Sequence, residues 1–354
     1  MPKINKHIEI VRSNGYGLSS LSQASCDAIF GVLSKHYATV GITTIDDVSD
    51  FEILAKKRPN LVFLGIKFVL KNPDLGLRDS EKIWISDYLD KLGINYTGSS
   101  HDAQELGVNK PLAKQRVLDS GLETSKFYVA RQHQPSARTG TSLEFPLFVK
   151  PAGRGSGVGV DDDSVVHNQE QLKSKVYSIV ANLQSDALIE EYLSGREFSV
   201  AILQAEHSPK LFAMPLELIA QPNERGERLL SSRIKSSNTE RVAEITDMAI
   251  KSAVSELAIS AFRALGAKDY GRIDIRMNEA GIPHFLEANL LPNLVESYGS
   301  FPKACVMNLG LNYESMILQI VRLGLKRSVS LGEIVEPIVA IPALTAFETV
   351  LESV

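Results

Sequence analysis

The sequence has 354 residues, which at roughly 150 per domain suggests two or three domains with a substantial combined core. Apolar residues make up 44% and charged residues 23%, while 24 Gly and 15 Pro are too few for a collagen-like or low-complexity chain. Acids (42) nearly balance bases (38) and no block of like charge occurs, so charge gives no reason to expect nucleic-acid or anionic-membrane partners.

Cys26 and Cys305 are the only cysteines. They cannot build a disulfide framework or a multi-cysteine metal site, which fits a reducing cytoplasm. The opening stretch 1–7 has neither the apolar core nor the cleavage site of a signal peptide. A cytoplasmic location is the expectation. The late apolar stretch 334–351 is broken by Glu336, Pro337, Pro342 and Glu348, which excludes a spanning helix and leaves a packed or subunit-contacting tail.

Strand-like and helix-like runs alternate from the start. His7 to Val11 reads as a strand, and Leu21, Ala24, Ala28, Ile29, Val32 and Leu33 then recur at helical spacing. Residues 61–66 form a near-continuous apolar run, as expected of a strand buried on both faces. A helix over about 80–92, stopped by Gly93, and a short strand at 94–98 follow. This alternation predicts an open parallel α/β sheet for roughly the first 100 residues.

The second unit opens with a helix over 110–119, with Asn109 as cap and Pro111 in its first turn. A polar loop (135–142), a strand at 145–150, a glycine-rich stretch, a helix over 169–183 and a strand at 187–193 complete it. The third begins with a strand at 196–203. It continues with a long helix capped near Asp247 and ended by Gly266, a hairpin over 271–289, a loop, and a helix over about 313–323. The expected divisions are 1–103, 104–193 and 194–354.

Two segments could carry chemistry. Glycines alternate at 153, 155, 157 and 159 directly after a strand, and the amides of such a loop can cradle phosphate oxygens. Lys150, just upstream, would add a point charge. The stretch matches neither the dinucleotide fingerprint nor the P-loop, and a flexible hairpin tip is the competing reading.

In the hairpin, Arg272 and Asp274 share one strand face. With 278–281 as the turn, Asp274 faces Phe285 and Arg272 faces Glu287. Glu287 is then diagonal to Asp274, about 7–8 Å away, with Asn289 on the same face. Two carboxylates and an amide oxygen suit Mg²⁺; the bland alternative is an amphipathic hairpin with a wet polar side.

Three stretches then carry a family resemblance: Phe145-Pro-Leu-Phe-Val-Lys-Pro-Ala-Gly-Arg-Gly-Ser-Gly-Val-Gly-Val160, Leu188-Ile-Glu-Glu-Tyr-Leu-Ser-Gly-Arg-Glu-Phe198, and Gly271-Arg-Ile-Asp with Leu286-Glu-Ala-Asn289. In this order and spacing they resemble the ATP-grasp enzymes of the D-alanine–D-alanine ligase type, over about residues 85–325. The resemblance implies an ATP-grasp fold: an open parallel-sheet N-terminal domain and two α+β domains that clamp ATP.

It also implies roles. Lys110 and Lys150 would hold the nucleotide phosphates, and Ser156 would sit in a loop that closes over the reacting centre. Glu190 and the backbone through Leu193 would read adenine, Leu286 would pack on the base, and Glu197 would take the ribose hydroxyls. Asp274, Glu287 and Asn289 would bind two Mg²⁺ (or Mn²⁺), Arg272 would lie near the transferring phosphate, and Lys235 would reach the γ-phosphate, with Arg233 as its rival.

The activity so implied is an ADP-forming carboxylate–amine ligase that works through an acyl phosphate. Its partners would be small carboxylates and amines, amino acids among them; no nucleic acid or membrane is implied, and for an oligomer a homodimer is the commonest arrangement.

Departures fall in the substrate half. The stretch 12–20 has no acid where the family orients an amine, Lys67 stands near an expected histidine, and Ser236 replaces a tyrosine. Leu291-Pro292-Asn293-Leu294 replaces a Pro-Gly turn, and Glu296-Ser297-Tyr298 a serine region. A ligase of a specialised pathway is therefore favoured over a cell-wall D-alanine–D-alanine ligase, with a catalytically silent nucleotide-binding module as a third reading.

Overall fold

The computed structural model describes residues 2–15, 20–72, 74–75, 81–131, 143–155, 157–237 and 239–327. In the N-terminal unit the elements are β1 (Ile4–Arg12), α1 (Gln23–His36), β2 (Tyr37–Thr44), α2 (Asp50–Lys57) and β3 (Leu61–Leu64). There follow β4 (Phe68–Leu70), β5 (Lys82–Trp84), α3 (Ile85–Leu92) and β6 (Asn95–Tyr96). Strands β2-β1-β3-β6 form a parallel sheet. Where a helix was expected from residue 80, Lys82–Trp84 instead pairs antiparallel with β4. Gly93 does end α3, with φ of 65°.

Next come α4 (His101–Val108), α5 (Lys110–Asp119), β7 (Phe127–Ala130), β8 (Leu147–Pro151), β9 (Val165–Val166), α6 (Gln169–Leu183) and β10 (Ala187–Glu191). Asn109 caps α5 by accepting from the Leu112 amide, and Asn168 caps α6. The four strands form an antiparallel sheet in the order β7-β10-β8-β9, with α6 packed on it.

The last part comprises β11 (Glu197–Gln204), β12 (Leu211–Ile219), α7 (Ser232–Ser237), β13 (Arg241–Ala243) and α8 (Met248–Ala264). It ends with β14 (Tyr270–Met277), β15 (Pro283–Asn289), α9 (Ser300–Leu309) and α10 (Tyr313–Leu325). Its antiparallel sheet is ordered β13-β12-β11-β14-β15. Sequence patterning gave neither β12 nor α9.

Packing does not respect the sequential divisions. Ala103 of α4 and Ala113 and Val117 of α5 belong to the same core as α8 and the back of the third sheet, so these helices serve that sheet rather than the second unit. Met316, Ile317 and Ile320 of α10 return to the N-terminal core, where they join Ile8, Ile10 and Phe63. Along β11, Val200 and Ile202 face α8, whereas Ala201 and Leu203 face α9 and the N-terminal core. That second face changes character along the strand. Beyond Ala201 it carries Ser199 and Glu197, and this polar half holds the site.

No described helix is long and apolar enough to cross a membrane. Both cysteines are buried thiols. The tail expected to pack or to contact a subunit lies outside the described residues beyond 327.

Candidate active site

The hairpin β14–β15 pairs in a different register from the one expected. Met277 faces Pro283, and a five-residue loop (278–282) joins the strands rather than four. That one-residue slip alone would turn Glu287 to the opposite face. A bulge at Leu286 adds a second residue and restores it, so Asp274 lies directly opposite Glu287 and Arg272 opposite Asn289. The two carboxylates are closer than a diagonal pair would be.

Arg272 binds Asp274 through two parallel contacts, Nε to Oδ1 and Nη2 to Oδ2, each 2.9 Å. Ser199 Oγ and Asn289 Nδ2 also donate to Asp274, at 3.2 and 3.3 Å. Arg272 Nη1 reaches Ser300 Oγ at 3.3 Å. Alternation puts Arg276 on the same face, where its Nη1 meets Glu197 Oε2 at 3.0 Å from the neighbouring strand. Its guanidinium also lies 5.5 Å from the Tyr192 ring centre.

Opposite stands a cluster of lysines. Lys110 and Lys114, one helical turn apart, project from the same side of α5. Lys114 is fully buried and donates to Thr124 Oγ1 (2.5 Å) and Ser125 Oγ (2.8 Å). The Glu190 carboxylate is wedged between Lys114 Nζ and Lys150 Nζ, 2.7 Å from each. Burial pushes its pKa up, but the two ammonium groups override this and hold it down at about 2. Burial likewise works against the charge on Lys150, and Glu190 followed by Glu287 raises its pKa on balance. Lys110 is lowered by burial despite Glu287 beside it, with Nζ 3.4 Å from Glu287 Oε2.

Lys110 also donates to the carbonyl of Arg154 in the glycine stretch. That stretch follows β8 and turns at Gly157 and Gly159, both in the left-handed region (φ of 73° and 77°). A Cβ at residue 159 would lie 2.6 Å from Pro151 Cγ. Between this loop and the third sheet lies a cleft. Lys110, Lys150, Glu190, Leu193, Glu197, Asp274, Leu286 and Glu287 all line it.

Of the residues singled out from sequence, those eight therefore share one cleft, and Arg272 and Asn289 adjoin it through Asp274. Ser156 lies outside the described residues, as does the side chain of Lys235. Arg233 is exposed and reaches toward Asp162 at 4.0 Å. The Glu190 side chain is committed to the two lysines. Two residues of the cleft region went unassigned: Lys114, signalled by its i+4 spacing from Lys110, and Arg276, signalled by the strand alternation that already linked Arg272 and Asp274.

Asp274, Glu287 and Asn289 are hard oxygen donors gathered on one face. Among the described residues no three or more His, Cys, Asp or Glu groups assemble into an all-protein cage. A set of two carboxylates and an amide fits Mg²⁺ or Mn²⁺, which completes its shell with water and phosphate oxygens.

A family model described as the D-ala D-ala ligase C-terminus matches residues 118–322. A D-alanine–D-alanine ligase of Leptospira interrogans is 32% identical over 254 residues, covering 69% of this chain and 70% of that protein. The uncharacterised protein y4sG of Sinorhizobium fredii is 31% identical over 233 residues, covering 65% and 66%. The chain thus spans just under two thirds of several curated relatives it matches.

Among solved structures, the D-alanine–D-alanine ligase of Bacillus anthracis complexed with ATP superposes with a TM-score of 0.64 at 20% identity, covering 90% of this chain and 97% of that one. The VanG D-Ala:D-Ser ligase of Enterococcus faecalis gives 0.67 at 18%, covering 90% and 99%. The fold is the ATP-grasp fold, and the chain belongs to the D-alanine–D-alanine ligase family.

Proposed function

We propose that the protein is an ADP-forming carboxylate–amine ligase. The observation that carries this is the convergence in one cleft of two lysines, a glycine loop and a directly opposed carboxylate pair. Phosphoryl transfer needs mainly positioning and charge neutralisation, and the residues present supply both.

In this reading Lys110 and Lys150 hold the phosphates of ATP. Glu190 keeps Lys150 and Lys114 in place rather than touching the base, and the backbone from Glu191 to Leu193 reads adenine. Leu286, pushed into the cleft by its bulge, packs on the base. Glu197, fixed by Arg276, accepts from the ribose hydroxyls. Asp274, Glu287 and Asn289 would hold Mg²⁺, which neutralises charge on the phosphates when bound. Arg272 steadies the migrating phosphoryl group. Ser156 and Lys235 are assigned to the closing loop and the γ-phosphate on family resemblance.

A substrate carboxylate oxygen takes the γ-phosphoryl group and ADP leaves. The amine nitrogen then attacks the acyl carbon, inorganic phosphate departs with the C–O electron pair, and the ammonium proton passes to solvent. The closed glycine loop keeps water from the acyl phosphate.

The test is ADP release with panels of carboxylates and amines, D-alanine pairs included. Amine-dependent release with a matching amide product is expected. ATP binding without ADP formation for any pair would refute the reading in favour of a silent nucleotide-binding module.

A further inference from the structure

The roles above leave Lys67 unassigned. In the sheet order β2-β1-β3-β6 the chain passes from β1 to β2 on one side and to β3 on the other, so the topological switch point lies between β1 and β3. Open parallel sheets bind ligands outside the carboxyl ends of their strands at such a point. The two loops there touch: Ser20 N and Oγ both donate to the carbonyl of Gly65, at 2.7 and 3.0 Å. Lys67 stands on this rim, half-buried, with its carbonyl anchored by the Ile85 amide at 3.1 Å.

Its ammonium makes no hydrogen bond or ion pair among the described residues. The charged groups around it come from other parts of the chain: Lys110, Glu287 and Arg272, two cations and one acid. Burial first, then Lys110, press its pKa down to about 8, with Glu287 opposing, so it is largely charged at neutral pH. A half-buried ammonium in cationic company, at a ligand crevice, calls for an anion.

Among the described residues, the acid facing Lys67, Glu287, is already engaged by Lys110 at 3.4 Å. Residues 12–20 contain no Asp or Glu. The acid of the next loop, Asp46, is taken up by Ser13 Oγ and the Asn14 amide (2.7 Å each), the Gly15 amide and Asn14 Nδ2 (3.3 Å each).

Resting on the ligase reading, we propose that the acyl donor is a carboxylic acid without a free α-ammonium, and that Lys67 pairs with its carboxylate at the crevice between β1 and β3. Lys67 is then a specificity-determining residue for the first substrate.

The experiment measures ADP release by the full chain with matched donors: an α-amino acid, its N-acetyl derivative and its deamino analogue, each with the same amine panel. The amine-blocked or deaminated donor should show kcat/KM at least tenfold above the free amino acid. Lys67→Gln should raise the donor KM about tenfold while the ATP KM stays within twofold, and Lys67→Arg should restore most of the loss. Preference for the free amino acid, or an unchanged donor KM in a folded Lys67→Gln protein, overturns the inference and leaves the ligase reading standing. Absence of turnover with every donor overturns both.

Discussion

Replacing Glu190 with Gln isolates the electrostatic centre of the cleft. The carboxylate is buried and 2.7 Å from both Lys114 and Lys150. A Gln amide keeps the shape, but its NH₂ confronts one of two ammonium donors and its charge is gone. The distance between the ordinary glutamate value of 4.5 and about 2 corresponds to roughly 3 kcal/mol, at ~1.4 kcal/mol per pKa unit. Removing one side of a buried ion pair costs roughly 3–5 kcal/mol, so the two routes agree. The variant should therefore be about 3 kcal/mol less stable at pH 7 by urea unfolding. Because the folded pKa lies below the unfolded one, the unfolded state takes up the proton first. The wild-type advantage is fully present above pH 4.5 and disappears as pH falls toward 2. A difference below about 1 kcal/mol at pH 7, or one that does not shrink between pH 5 and 3, would refute the assignment of the triad as a charged unit.

Glu287→Gln should lower ADP release by at least ~100-fold with a melting temperature close to wild type; unchanged turnover would remove the metal assignment. Gly159→Ala forces a side chain into φ of 77° and against Pro151 and Leu183, so it should cost roughly 1–3 kcal/mol and raise the ATP KM. Gly153→Ala, where a Cβ meets nothing within 4 Å, should be near neutral in the same thermal and kinetic assays. Arg276→Lys loses the planar group that pairs with Glu197 and lies near Tyr192. Isothermal titration should show weaker ATP binding by about tenfold, against a smaller change in kcat.

What could be read from sequence was local. Helices α5 and α6 match their expected bounds: α5 has an Asn cap and Pro111 in its first turn, and α6 repeats apolar residues at Leu172, Val176 and Ile179. Helix α9 carries no side-chain cap after Gly299 and no acid in its first turn, so only Pro302 in that turn marks its start. Strand β12 hides behind Pro215, which ordinarily argues against a strand. The residue is tolerated because β13 pairs only with residues 217–219, leaving β12 an edge at Pro215. Lys82–Trp84 became a strand through a partner at Phe68–Leu70, a pairing outside its own segment.

The site shows where such locality stops. Residue types and faces were legible, because alternation fixes which side chains share a surface. Register was not, because it depends on the loop length and on the bulge at Leu286. Each is a one-residue slip, and one slip alone would have turned Glu287 away from Asp274. Together they cancel in parity and add in distance, converting an expected diagonal into a direct pair. The bulge also frees Leu286 from the ladder and directs it into the cleft beside Glu287, so one extra residue supplies both an apolar surface and an acid to the same space. A deletion of Leu286 would therefore do more than shorten a strand. It would make Phe285 and Glu287 consecutive opposite Ile275 and Asp274, keeping Glu287 on the cleft face while removing the apolar side chain beside it, so the ATP KM should rise about tenfold with ADP release at saturating ATP largely retained; loss of turnover at saturating ATP in a folded deletion variant would show that the bulge, and not only the face it restores, positions Glu287.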